Sequence, residues 1–310
     1  MIKLSNSRIN LYNECGFKFK LKYIDKLSTD TIYSALHFGG AIDVALNNLL
    51  FDSREGNLKS KKIYQDQFEE AWSTKDNDNV CDSENFDYYK KEFRVDLLTL
   101  EQMMEIAAVY QTAPENITYE SNKKAYNLVC WYSNLNIGKA IVHTYYDQVL
   151  PSLLKDFEIL SVQEELCVTN DDGDPFTAIL DFTAKSRSSN AHFVMDNKTT
   201  SNIKKDYKEG CVEVSQQLGL YTEFKNCKDA GYVALEKKIL PDGYVPWVIV
   251  TGQVYDVTKE LIFNKVSDTL FKIKSGEFEK NEKSCFNFGR KCEFYNYCKF
   301  GKISGLHRKE

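Results

Sequence analysis

The chain has 310 residues, 43% of them hydrophobic and 27% charged, with a formal net charge of −5. These values fit a folded protein of one large domain or two modest ones and exclude a disordered or fibrous chain. The start, MIKLSNSRIN, has no apolar signal core and no apolar run spans a bilayer, so a cytoplasmic protein with reduced thiols is expected.

Charge is unevenly spread. Residues 1–26 carry +4 and residues 272–310 carry +5, leaving −14 between them. Phosphate binding needs a local basic surface, not a basic average. The two ends form such a patch if they meet; otherwise they are solvated lysine-rich termini.

Residues 5–23 predict a helix capped by Ser5 or Ser7, with Ile9, Tyr12, Phe17, Leu21 and Ile24 near helical spacing. Residues 36–52 predict a second helix, with Leu36, Ala41, Ala45, Leu46 and Leu49 inward. Gly39-Gly40 near its start permits close packing or a sharp entry. Residues 53–84 read as polar loops, including 75–79, interrupted by a helix at 61–72. Helices follow at 85–111 and 138–155, on either side of a loop near Pro114, so residues 53–155 form a mostly helical insertion. The pattern then changes. Residues 157–168, 176–185 and 191–197 predict an antiparallel meander, with turns at 171–175 and 186–190. A helix at 211–228, strands at 230–239 and 246–255, and a helix at 257–275 complete an α/β sheet core over 156–275. The last helix places Leu261, Ile262, Val266, Leu270 and Ile273 on one face.

Asp181 falls within an apolar strand of this core, and Asp196 ends another. Such carboxylates are costly unless paired or metal-bound, and the intervening turn brings them together. Lys198 shares a face with Asp196, while Asn197 points away but offers its backbone carbonyl. Two carboxylates and a carbonyl suit Mg²⁺ or Mn²⁺. Lys198 can orient a water and stabilise charge developing on phosphorus. A surface hairpin with an ordinary ion pair would show the same spacing. Gln217 and Tyr221 stand four apart on one helix face, as would a surface glutamine and a core tyrosine. One of Glu164 and Glu165 points towards the metal, or both belong to a solvated sheet face. Thr199, Thr200 and Ser201 can contact phosphate, or simply form a strand and turn.

Nine cysteines, an odd number, argue against a disulfide framework. Cys15, together with Cys285, Cys292 and Cys298 in CysX6CysX5Cys spacing, predicts one closed site of four thiolates. Zinc ribbons usually show two tight pairs. One remote and three loosely spaced ligands suit a [4Fe–4S] cluster better, with zinc as the alternative occupant. The cluster would staple the first helix to residues 276–310, shielded by Phe286, Phe288, Phe294, Tyr295 and Tyr297, unless these stack on bases. Cys81, Cys130, Cys167, Cys211 and Cys227 read as ordinary thiols.

These segments resemble the PD-(D/E)XK nuclease superfamily, in its RecB- and AddB-like iron–sulfur exonuclease branch. SNSRINLYNECGFKFKLKY resembles the family's opening helix, with Gly16 for the usual Pro. HFGGAIDVALNNLL resembles its first motif, with Asp43 where His is usual; His37 is out of register. AILDFTAK resembles Gly-x-x-Asp, with Ala178 for Gly. VMDNKTTS, QLGLY and CFNFGRKCEFYNYC resemble the Asp-x-Lys-Thr strand, the Gln-x-x-x-Tyr helix and the closing cysteines. The resemblance implies a single nuclease domain over 1–310 with a restriction-endonuclease-like core, a mixed central sheet flanked by helices. It also implies Asp43 as a third metal ligand and places Gln217 and Tyr221 beside the active site. The implied activity is a DNA exonuclease of the stand-alone phage type, acting on strand ends with recombination or replication partners. A structure-specific or single-strand endonuclease and a non-catalytic DNA-end-binding protein are the other readings.

Overall fold

The computed structural model describes residues 4–29, 32–73, 86–88, 90–169, 175–289 and 291–308. The loop at 75–79, Cys81 and the turn at 171–174 lie outside the described residues. The first helix, α1 (Asn6–Glu14), is capped by Ser5, whose Oγ accepts from the Arg8 N–H at 3.4 Å. The single helix expected over 5–23 breaks at Cys15, which is extended (φ −162°, ψ 107°). Its Sγ accepts from the Lys18 N–H at 3.4 Å and so starts α2 (Gly16–Phe19), which widens into a π-helical turn over Lys20–Ile24. An apolar period that continues across the break carries no mark of it.

Two short strands, β1 (Leu27–Thr29) and β2 (Ile32–Tyr33), precede α3 (Ser34–Arg54). Ala41, Ala45, Leu46 and Leu49 are buried as expected, but Leu36 is 75% exposed because it lies off the buried stripe. A Cβ added at Gly39 or Gly40 meets nothing within 4 Å, so close packing does not explain that pair. Next come α4 (Lys61–Ser73), β3 (Phe86–Asp87), 3-10 turns at Lys90–Glu92 and Val95–Leu97, α5 (Leu100–Tyr110), α6 (Lys123–Thr144) and α7 (Leu150–Asp156). The helix expected over 85–111 thus shrinks to α5, and α6 starts well before residue 138. Ala125 to Cys130 are all buried, so this helix lacks the polar face that periodicity reads.

α4 crosses α6 at Gly138, where an added Cβ would lie 1.9 Å from Cζ of the buried Phe68 ring. Gly138→Ala therefore lowers stability by about 1–3 kcal/mol, although alanine alone favours a helix by roughly 1 kcal/mol. Urea unfolding measures the difference; a stabilised variant would contradict this packing.

The central sheet contains β4 (Phe157–Thr169), β5 (Pro175–Ser186), β6 (His192–Thr200), β7 (Asp229–Glu236) and β8 (Trp247–Gln253), in that order. Within this sheet only the β6–β7 pairing is parallel. Parallel neighbours require a crossover, and it carries α8 (Ile203–Asp206) and α9 (Gln216–Phe224). The helix expected at 211–228 is shorter because the Ser215 Oγ caps it, accepting from the Leu218 N–H at 3.1 Å. The chain ends with α10 (Asp256–Lys274), α11 (Tyr295–Phe300) and β9 (Leu306–Arg308). On α10, Ile262 and Ile273 are buried while Leu261 is exposed.

Helices cover both sheet faces. Phe182, Met195 and Val233 pack into a core with residues of α3, α4 and α6. Leu180, Val194 and Ala230 join residues of α1, α9 and α10. α5 and the first half of α6 hold a third, smaller core. The result is the expected α/β architecture, a mixed central sheet between helical layers. The two chain ends also meet: β1 pairs with β9, the Phe17 N–H donates to the Glu279 carbonyl at 2.9 Å, and Asn281 Nδ2 donates to that of Glu14 at 2.8 Å.

Candidate active site

Strands β4 and β5 become irregular at the level where the β5–β6 ladder ends. Gln163 on β4 has φ +52°, an uncommon value for a residue other than glycine. The β4–β5 ladder pairs Val162 with Phe182 and Glu164 with Leu180, passing over Asp181 opposite Gln163. Across this point β5 changes face: Leu180 and Phe182, two residues apart, belong to cores on opposite sides of the sheet. The β5–β6 ladder stops at Phe182–Met195. Beyond it, the Asn197 N–H donates to Asp181 Oδ2 at 2.8 Å. Such an irregularity re-aims a side chain, and here it turns Asp181 into the fork between β5 and β6.

Asp196, 2% exposed, lies on the other arm of that fork. Its Oδ1 accepts from Gln217 Nε2 at 3.2 Å, and its Oδ2 is 2.5 Å from Lys198 Nζ. Gln217 Nε2 also lies 3.1 Å from the Tyr221 hydroxyl, so this pair on α9 braces the carboxylate. The Asn197 side chain turns to the opposite face, where Oδ1 accepts from the Tyr145 hydroxyl at 3.0 Å. Asp43, on the exposed side of α3, opens onto a cavity of about 150 Å³ shared with Lys198 and Thr199. His37 belongs to the core instead: its Nε2–H donates to the Trp72 carbonyl at 2.7 Å and its ring stacks on that indole. Glu164 pairs with Lys225 at 2.7 Å, and Glu165 lines a groove of about 420 Å³ with Ser5, Arg8, Gln217 and Tyr221. Tyr145 and Gln163 were not legible as site residues. One acts from 52 positions away along the chain and the other through its backbone.

Burial is the first cause that raises the carboxyls of Asp181 and Asp196 above their ordinary range; for Asp181, the charge of Asp196 adds to it. Loss of solvent around its carboxyl pushes Asp43 up to about 6, against the pull of Lys198. Burial pulls the Lys198 ammonium down, but Asp196 and Asp181 outweigh it and hold the proton more tightly than usual. Two enclosed carboxylates thus share one ammonium. Among the described residues no three His, Cys, Asp or Glu side chains form a ready-made metal cage. The fit to a divalent ion rests on this shortage of positive charge and on hard oxygen donors.

The same shifts have a thermodynamic consequence. An unfolded chain releases aspartate protons near pH 4, whereas these folded carboxyls hold theirs to higher pH. Above about pH 4 the folded state therefore binds more protons, and metal-free stability falls as pH rises through the raised values. A divalent ion binds the ionised form and offsets this loss. The gain in melting temperature on adding Mn²⁺ is accordingly larger at pH 8 than at pH 6; a gain independent of pH would contradict the assignment.

Cys15, Cys285, Cys292 and Cys298 line one cavity of about 370 Å³ where the chain ends meet. Burial raises the Cys285 thiol, and its neighbours Cys298 and Cys15 raise it further. Phe294 is buried, and the Phe286 and Tyr295 rings lie 5.2 Å apart. Several lysines of this region are paired within it, Lys20 with Asp25 at 2.6 Å and Lys22 with Glu293 at 3.4 Å, which reduces the patch expected from formal charge. Cys130 is buried and Cys167 exposed, apart from this group. No helix among the described residues is long and apolar enough to cross a membrane.

Comparison with curated proteins gives no match. A solved structure described as "Crystal structure of SSO0001" aligns at 17% identity and a TM-score of 0.31, covering 51% of this chain and 67% of that one. The model of the PD-(D/E)XK nuclease superfamily matches residues 3–299. With that match across nearly its whole length and a restriction-endonuclease-like sheet, the chain belongs to the PD-(D/E)XK nuclease superfamily.

Proposed function

We propose that this chain is a DNA exonuclease that hydrolyses phosphodiester bonds at strand ends with Mg²⁺ or Mn²⁺. The observation that carries this reading is the convergence of Asp181, Asp196 and Lys198 on one kinked fork, braced by Gln217. Asp181 and Asp196 would hold the ion, with Asp43 and the Asn197 carbonyl completing its oxygen set. When bound, the ion polarises a phosphate oxygen and acidifies water. Lys198 orients the attacking water and stabilises charge developing on phosphorus. Gln217 holds Asp196 in the geometry that Lys198 needs, and Tyr221 holds Gln217.

Cys15, Cys285, Cys292 and Cys298 hold a [4Fe–4S] cluster in this reading, with zinc as the other thiolate-loving occupant. Its role is to staple the chain ends, outside the chemistry. The groove beside Gln217 and Tyr221 gives a strand a path to the fork. Labelled linear and closed-circular DNA, incubated with chelated protein before and after Mn²⁺ is restored, test the reading. Mn²⁺-dependent loss of linear DNA alone is expected. Equal cleavage of circles indicates an endonuclease, and binding without cleavage an end-binding protein.

A further inference from the structure

Apart from Tyr145 behind Asn197, the helical insertion supplies no residue to the site above, yet it walls a second chamber. Residues of the Lys90–Glu92 and Val95–Leu97 region and of α6 face the far ends of β6 and β7 across a cavity of about 810 Å³. Four cationic side chains line it, Lys91, Arg94, Lys237 and Lys238, against the carboxylates Glu92 and Glu236. Both carboxylates already accept hydrogen bonds, Glu92 from Ser34 Oγ at 2.8 Å and Glu236 from the Ile203 N–H at 3.1 Å. Arg94 is held by Asp96 through contacts of 2.9 and 2.6 Å.

Two groups point to an anionic ligand. Lys237 is half-buried with its Nζ 4.2 Å above the Phe38 ring, and burial pulls its pKa down to about 8. Asn134 is 1% exposed and its Nδ2 finds no hydrogen-bond partner among the described residues. A buried donor left unmet is rare and calls for an acceptor. Hydroxyls of Thr199 and Ser201 add donors to the lining, while that of Thr200 already donates to Asp206.

The chamber adjoins the active site. Thr199 lines both this cavity and the smaller one containing Asp43 and Lys198. Ser201 lies three positions beyond Lys198, roughly 10 Å at the rise of an extended chain. A nucleic-acid strand carries a phosphate every ~3.4 Å of duplex axis, so a phosphate close to the cleaved one reaches the chamber.

We propose that this cavity grips a phosphate of the substrate strand within a few nucleotides of the cleaved bond, through Lys237, Lys91 and the Asn134 amide. The proposal rests on the nuclease reading for its substrate, and its test avoids turnover. Fluorescence anisotropy of labelled single-stranded oligonucleotides is measured in chelator over a KCl series. Lys237→Gln is expected to weaken binding about 3- to 10-fold for every sequence and to reduce the salt slope by about one. Asn134→Leu is expected to weaken binding while the melting temperature holds or rises, because an unmet amide is replaced by an apolar group of similar size. Oligonucleotides with and without a terminal phosphate distinguish the source: equal weakening means a backbone phosphate, weakening only with the terminal group means a strand end. If the parent binds DNA and both variants match it in affinity and salt slope, the subsite is wrong while the nuclease reading stands. If the parent binds no DNA at all, both fall together.

Discussion

Lys198→Ala slows Mn²⁺-dependent DNA cleavage by about 10²- to 10³-fold, the scale at which a single group aimed at developing charge contributes. The ammonium contacts Asp196 and senses Asp181, so its removal takes a positive charge from an enclosed carboxylate pair. Two consequences follow and oppose each other. The transition state loses the cation that stabilises charge on phosphorus, while the carboxylates lose a competitor for a divalent ion. The variant therefore retains Mn²⁺ binding yet turns over slowly. Single-turnover cleavage beside a Mn²⁺ titration separates the two effects, and a variant as fast as its parent would end the assignment of Lys198.

If the four cysteines hold the proposed [4Fe–4S] cluster, Cys292→Ser removes visible absorption together with iron and sulfide in an anaerobic preparation, and it lowers the melting temperature by roughly 10 °C. The proposed cluster would tie Cys15 to the C-terminal cysteines and close nearly the whole chain into a loop. By chain entropy, a cross-link over such a loop contributes on the order of 5 kcal/mol. The pairing of β1 with β9 and the hydrogen bonds from Phe17 and Asn281 remain in the variant, so the fold persists in weakened form. A colourless parent that contains zinc would overturn the iron–sulfur assignment, since d¹⁰ zinc has no such absorption.

Most of the sheet could be read from the sequence because its strands combine apolar alternation with polar turns. The strands expected at 157–168 and 176–185 differ from the observed ones by a residue at the ends. Helix phase was harder: Leu36 and Leu261 each sit one position from a buried residue pattern, and the mean pattern does not show which way the stripe turns. α6 went unread over its first half because Asn127, Ser133 and Asn134 are polar yet buried. For the candidate site, Asp181, Asp196 and Lys198 stood out as charged groups at strand spacings, and Gln217 and Tyr221 entered through the family resemblance; the structure brings the five together. The irregularity opposite Asp181 includes Gln163, whose side chain gives no hint of a left-handed backbone. Nothing in the sequence marks Tyr145, since its hydrogen bond to Asn197 exists only after the sheet and helices pack.

Mn²⁺ binding to the metal-free chain, followed by electron paramagnetic resonance, goes straight to the centre of the account. The parent is expected to take up one ion tightly, and Asp181→Asn or Asp196→Asn to lose that uptake while remaining folded. Uptake by either variant equal to the parent's would mean that the ion, if one binds, sits elsewhere.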